Sequence, residues 1–191
     1  MTKGRMEAFS DGILAVAITI MVLDMKVPSG TDLHALAGDA PVLLAYALSY
    51  INIGIFWSNH HHMLHVSEHI DGKVLWANLN LLFWLTLLPF AVRWVDDTGV
   101  APLPTAAYGV ILFMAGVGYL ALERALIAVN GPHSQLAQAV GAEWKGQISM
   151  LAYLTAVPLA FVNRWVSIAI YVAVAVMWFV PDRRIESQLK A

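Results

Sequence analysis

Cysteine is absent from the 191 residues, which excludes a disulfide scaffold, a thiolate metal centre and a cysteine nucleophile. Charge is scarce: Asp, Glu, Lys and Arg make up 13% of the chain, where a soluble domain carries about 25%. Positive charge has no excess, with 11 Lys and Arg against 13 Asp and Glu, so the basic face of a nucleic-acid binder is missing. There is no tandem repeat, no low-complexity tract and no linker long enough for a water-soluble domain. Catalytic motifs are lacking too: no nucleophile–base arrangement, no G-x-S-x-G, no H-E-x-x-H and no glycine-rich phosphate loop, so the chain is not expected to be an enzyme. What is present is apolar. Hydrophobic residues make up 59% and the mean hydropathy is +0.67, which points to an all-α, polytopic membrane protein.

A helix crossing the hydrocarbon core needs about 20 mostly apolar residues. Six runs are candidates, at about 8–27, 41–64, 74–95, 105–129, 146–162 and 166–180, the last of them short, giving a single six-helix transmembrane domain over residues 1–191. The first run has a carboxylate, Asp11, where a signal peptide would start its apolar region, and it lacks a small-residue cleavage site. Pro28-Ser29-Gly30, Asp96-Asp97-Thr98-Gly99 and Asn130-Gly131-Pro132 mark turns. Asn163-Arg164-Trp165 reads as a tight hairpin between spans five and six. Charge separates this from a single bent helix. With six spans, one side holds Lys3, Arg5, Lys73, Arg124, Lys145, Arg183, Arg184 and Lys190, and the other holds Lys26, Arg93 and Arg164. Eight against three is a positive-inside bias, so both termini are expected in the cytoplasm. The tryptophans mostly fall near span ends, as interfacial anchors do.

Polar residues inside such spans are costly and call for a reason. One group is Arg5, Ser10 and Asp11. Arg5 and Asp11 are six residues apart, so each reaches a different partner or they meet between adjacent helices; Ser10 and Asp11 are also helix-capping residue types. A second group is His60, His61, His62, His65 and His69, in which His61, His65 and His69 recur every four residues and would share a helix face. That spacing suits a metal site, a pH sensor or an ordinary interfacial face with one histidine buried as a hydrogen-bond partner. The third group, Trp76, Asn78 and Asn80, opens span three at the same expected depth, so a buried network between spans one, two and three is geometrically open. Gly116-Val117-Gly118 reads as close helix packing, and Pro89 and Pro158 as interruptions of spans three and five. Along span one, Gly12, Ala15, Thr19 and Val22 form a stripe of smaller residues, while Val16, Ile20 and Leu23 form a branched one. The branched stripe either faces lipid or, repeated by symmetry, constricts and dewets a pore.

The string Arg5-x-x-x-Phe9-Ser10-Asp11-Gly12 at the start of an apolar helix resembles the signature of the transmembrane protein 175 family. So do Ala17-Ile18-Thr19, Val22-Leu23-Asp24, Trp57-x-x-His60-His61, Leu75-Trp76-x-Asn78-Leu79 and Pro89-Phe90. The resemblance covers roughly residues 5–90. It implies a potassium-permeable cation channel built as a homotetramer of six-helix subunits in a prokaryotic inner membrane, with lipid, monovalent cations and other copies of itself as partners. Flow would be passive and need no cofactor. The first helix would line the pore, with Val16, Ile20 and Leu23 as constricting rings and Thr19 as a polar layer beside them. Val16 departs from the Ile or Leu common at the first ring. Arg5, Phe9, Ser10, Asp11 and Gly12 would tie that helix to its neighbours, with His60 or His61 and Trp76 or Asn78 as partners. A proton-conducting channel or a proton-coupled secondary transporter are the alternatives.

Overall fold

The computed structural model describes residues 2–25, 27–28, 30–38, 40–140 and 144–179. Lys26, Arg183, Arg184 and Lys190, which enter the charge argument, and residue 180 at the end of the sixth run lie outside the described residues. Among those described, the chain is helical and has no strand. The helices are α1 (Lys3–Leu23), α2 (Leu33–Gly38), α3 (Ala40–His65), α4 (Gly72–Thr86), α5 (Leu88–Asp97), α6 (Pro102–Asn130), α7 (Gln135–Val140), α8 (Trp144–Val162) and α9 (Arg164–Phe179). Five segments are long and apolar enough to cross a membrane: α1, α3, the pair α4–α5 as Gly72–Asp97, α6 and α8; α9 is apolar but shorter. The chain is a multi-pass membrane protein.

Local chemistry sets the ends of these helices. Asp71 precedes α4 and accepts a hydrogen bond from the Val74 amide at 2.9 Å, the usual N-cap arrangement. Pro102 and Pro104 open α6, where a missing N–H leaves nothing unsatisfied. Gly131 ends it with φ at +96°, a conformation glycine adopts without a Cβ penalty. Asn163 is the one non-helical residue between α8 and α9. Its Oδ1 accepts from the Trp165 amide at 3.0 Å, which starts the next helix at once. The Ser167 hydroxyl then donates to the Ala156 carbonyl at 2.8 Å, and Trp178 Nε1 donates to Ser149 Oγ at 2.8 Å. Contacts this far apart, with one partner advancing as the other retreats, make α8 and α9 an antiparallel hairpin.

Two boundaries differ from the sequence expectation. The first helix begins at Lys3, five residues before the apolar run, and stops at Leu23. Ser10 and Asp11 therefore sit inside the helix and cap nothing; Thr2 occupies the N-cap position. The Lys3 ammonium extends this helix by donating to the carbonyls of His65 and Ser67 at 3.2 and 2.9 Å, where α3 has run out. The third run is broken at Leu87 between α4 and α5. Pro89 explains the break: it has no N–H to give the Leu85 carbonyl and its ring crowds that oxygen. Pro158, by contrast, stays within α8.

The core gathers Leu14, Ile53, Leu81, Leu85, Leu112 and Leu122 with Tyr108, Tyr153 and Tyr171. Tyr108 pairs with Ser49 Oγ at 3.0 Å and Tyr171 donates to the Thr105 carbonyl at 3.1 Å, so both buried hydroxyls are satisfied. Close packing of α4 on α6 rests on Gly118. A Cβ there would stand 2.9 Å from the Leu81 Cα and 3.2 Å from Asn80 Nδ2. Backbone cannot move aside as a side chain can, so Gly118→Ala is expected to destabilise the protein by about 1–3 kcal/mol. Gly54→Ala, with nothing within 4 Å, is the matched control. Melting followed by size-exclusion chromatography checks the pair: the midpoint drops for Gly118→Ala and holds for Gly54→Ala.

Candidate functional site

One face of α1 is built into the fold. Met6, Ser10, Leu14, Ala17 and Met21 are buried, and their spacing of three to four residues puts them on a single stripe. Ser10 is the polar member. Its hydroxyl donates to the Met6 carbonyl at 2.9 Å and accepts from Asn78 Nδ2 at 3.0 Å. The Asn78 Oδ1 in turn lies 2.7 Å from His60 Nε2. A carbonyl oxygen only accepts, so this His60 nitrogen carries the proton. Ser10, His60 and Asn78 are each almost fully buried. A three-bond chain thus joins α1, α3 and α4 in the first half of α1. Next to Ser10 and about 100° around α1 from the buried stripe, Asp11 Oδ1 accepts from Trp57 Nε1 on α3 at 2.9 Å.

The opposite face of α1 is bare. Val16, Ile20 and Leu23 are 55%, 43% and 80% exposed, and Gly12, Ala15 and Thr19 are exposed with them. The Thr19 hydroxyl donates to the Val16 carbonyl at 2.9 Å. The same hydroxyl oxygen keeps its capacity to accept on this exposed residue. A helix with one face anchored by polar bonds and the other left as an apolar stripe with one hydroxyl needs a cover, either lipid or another copy of itself.

The other expected site residues are placed as follows. Phe9 is exposed beside this face. Arg5 is exposed, and among the described residues its guanidinium is not bonded to Asp11. Trp76 is 75% exposed and stands outside the network. His61 is exposed too, stacked between Trp57 and His65 with ring centroids 6.1 Å apart on either side. His69 does not extend this face, because α3 ends at His65 and residues 67–71 are loop. Asn130 holds that loop, accepting from the Glu68 and His69 amides at 2.9 Å and donating to the His69 carbonyl at 3.0 Å. Among the described residues no three His, Asp or Glu side chains are grouped to hold a metal.

Sequence reasoning missed three features. Trp57 is the partner of Asp11, and its signal was its place one turn before His61. Glu123 is a buried acid on α6, marked by its position inside Leu120-Ala121-Leu122-Glu123. The third is Arg93, 69 residues from Asp24 yet paired with it: the guanidinium reaches Asp24 Oδ1 at 3.6 Å and Asp97 Oδ2 at 3.0 Å.

Known proteins match this arrangement. The profile of the family described as "Endosomal/lysosomal potassium channel TMEM175" fits residues 5–89, the segment holding α1 and the Ser10–Asn78–His60 chain. The protein is similar to a potassium channel of Chryseobacterium sp. (strain P1-3), with 44% identity over 190 residues covering 100% of this chain and 99% of the relative. It is 35% identical over 96 residues to the endosomal/lysosomal proton channel TMEM175 of Homo sapiens, which covers 44% of this chain and 19% of that one. Its fold resembles the crystal structure of a lysosomal potassium-selective channel TMEM175 homologue from Chamaesiphon minutus, with TM-score 0.79 and 26% identity over 93% of this chain and 96% of the other.

Proposed function

Because this chain belongs to the TMEM175 family of channels, we propose that it is a potassium-permeable cation channel whose pore forms between the α1 helices of four identical subunits. The observation that carries this reading is the bare stripe of Val16, Thr19, Ile20 and Leu23, set opposite the face of α1 that Ser10 and Met21 anchor. Brought around a four-fold axis, the branched side chains form stacked rings that exclude water until the helices part. Thr19 lies between the Val16 and Ile20 levels and offers oxygens that replace part of an ion's hydration shell. Val16, smaller than Ile or Leu, makes the innermost ring the widest. No cofactor and no catalytic group enters such passive conduction.

In this reading α9 is the sixth span, closing the antiparallel hairpin with α8. Its 16 residues cover about 24 Å at 1.5 Å per residue, enough for a locally thinned bilayer. Six spans place both termini in the cytoplasm of an inner-membrane protein, with the eight cations of the sequence on that side.

The test is potassium flux in proteoliposomes, with sodium and proton flux measured in the same preparation and Leu23→Ala beside the parent. Potassium flux above sodium, with rate or ratio changed by Leu23→Ala, is the expected outcome. Proton flux without potassium flux would replace the reading with that of a proton channel, the description carried by the human relative. A saturable organic-solute flux would make it a secondary transporter.

A further inference from the structure

The outer end of α1 has no basic residue of its own: its last turn holds none, and it stops at Leu23 with Asp24 as C-cap. A helix end of this kind carries unpaired carbonyls and a partial negative charge, to which Asp24 adds a carboxylate. The cation that meets it comes from α5. Arg93 lies 3.6 Å from Asp24 Oδ1, and the same nitrogen contacts the Asp24 carbonyl at 3.5 Å. Asp97, one turn further along α5, accepts from Arg93 Nε at 3.0 Å and so orients the guanidinium. Beneath this charged layer Met21 of α1 and Leu88 and Val92 of α5 are buried. Pro89 breaks the helix at Leu87, and α5, which starts anew at Leu88, packs against α1.

We propose that Arg93 is a positioning residue for permeation: paired with Asp24, it draws the outer end of α1 towards α5 and so holds the Leu23 ring back from the pore axis. The direction follows from the geometry. Leu23 is 80% exposed on the free side of α1, whereas the Arg93 clamp takes hold next to it from the packed side. Released, the last turn of α1 moves inward and the outermost ring narrows. This inference rests on the reading of α1 as the pore wall.

The experiment compares potassium flux of the parent, Arg93→Gln, Arg93→Lys, Asp24→Asn and Leu23→Ala in proteoliposomes, with the oligomer checked by size-exclusion chromatography. Arg93→Gln and Asp24→Asn are expected to lower flux by about fivefold, a terminal charge contact repeated in four subunits, and Arg93→Lys to retain most of it. The chain has no native cysteine, so an Asp24→Cys/Arg93→Cys double variant can be bridged by a short bis-methanethiosulfonate and released by reductant in the same vesicles. Bridging is expected to restore flux and reduction to remove it, which a folding defect would not do. If Leu23→Ala changes flux while Arg93→Gln and bridging do not, the clamp is wrong and the pore reading stands. If Leu23→Ala is also silent in a conducting protein, both fall.

Discussion

Replacing Ile20 with asparagine is expected to raise potassium conduction by tenfold or more. Ile20 stands midway along the bare stripe of α1, 43% exposed in the single subunit. In the proposed tetramer four such side chains meet at one level. A ring of branched hydrocarbon offers water no hydrogen bonds, so the column of water there is broken and an ion must shed its shell to pass. Four amides supply donors and acceptors at that level and keep it wet. Tenfold in rate needs about 1.4 kcal/mol off the barrier, a small part of what a dewetted constriction imposes. Thr19→Val, which removes the one hydroxyl on the stripe, is expected to lower the potassium-to-sodium ratio and leave the Ile20 level dry. Single-channel recording in planar bilayers reads both changes. The outcome that would sink the pore assignment is specific as well. If Ile20 faces lipid, the Asn variant inserts and purifies poorly, since a polar group in hydrocarbon is unfavourable, and the protein that survives conducts as the parent does.

The long apolar segments were readable because each helix satisfies its own backbone, so composition and length locate it without knowledge of its neighbours. The hairpin at Asn163 was readable for a related reason: a short polar residue with an oxygen acceptor stops one helix and caps the next. Helix ends were read less well. Lys3–Glu7 is polar by composition, yet it is helical, with Lys3 donating to the carbonyls of His65 and Ser67, partners that lie 62 and 64 residues on. Pro89 was visible, but the break falls two residues earlier at Leu87, since proline disturbs the carbonyl behind it rather than its own position. His69 looked like part of a helical face because periodicity does not show where α3 ends. At the site, Ser10, His60 and Asn78 were named among the candidates, and the structure bonds them into one chain. Depth alone could not say which of His60 and His61, or of Trp76 and Asn78, turns inward, because neighbouring residues on a helix differ by about 100° in direction. Arg93 was counted only as an outside charge, and Asp24 entered only through the Val22-Leu23-Asp24 string. Their pairing is a property of how α5 leans on α1, and no local pattern encodes it.

Replacing Asn78 with leucine, similar in volume and without the amide, is expected to destabilise the protein and its assembly together. Asn78 accepts from His60 and donates to Ser10, and all three groups are buried. Its loss strands the His60 N–H in an apolar surround, and a stranded buried donor costs about 1–3 kcal/mol. A protein of this size loses about 2–4 °C of melting midpoint per kcal/mol, so a drop of about 5–10 °C in detergent is expected, with loss of the oligomer on size-exclusion chromatography. Ser10→Ala should be milder, because the Met6 carbonyl it releases still accepts the ordinary helical bond and only one Asn78 proton is left over. The informative variant is the double one. His60→Leu with Asn78→Leu removes donor and acceptor together, leaving nothing unpaired between α3 and α4, so it should melt closer to the parent than Asn78→Leu alone. That rescue separates a polar network from mere packing, since two cavities or two clashes would add. It also bears on conduction: the network holds the half of α1 furthest from Leu23. The double variant is therefore expected to regain the proposed tetramer and its potassium flux together, whereas Asn78→Leu loses flux by losing assembly. A double variant less stable than either single one would mean that the His60–Asn78 bond is incidental and that α1 is held by its apolar stripe alone.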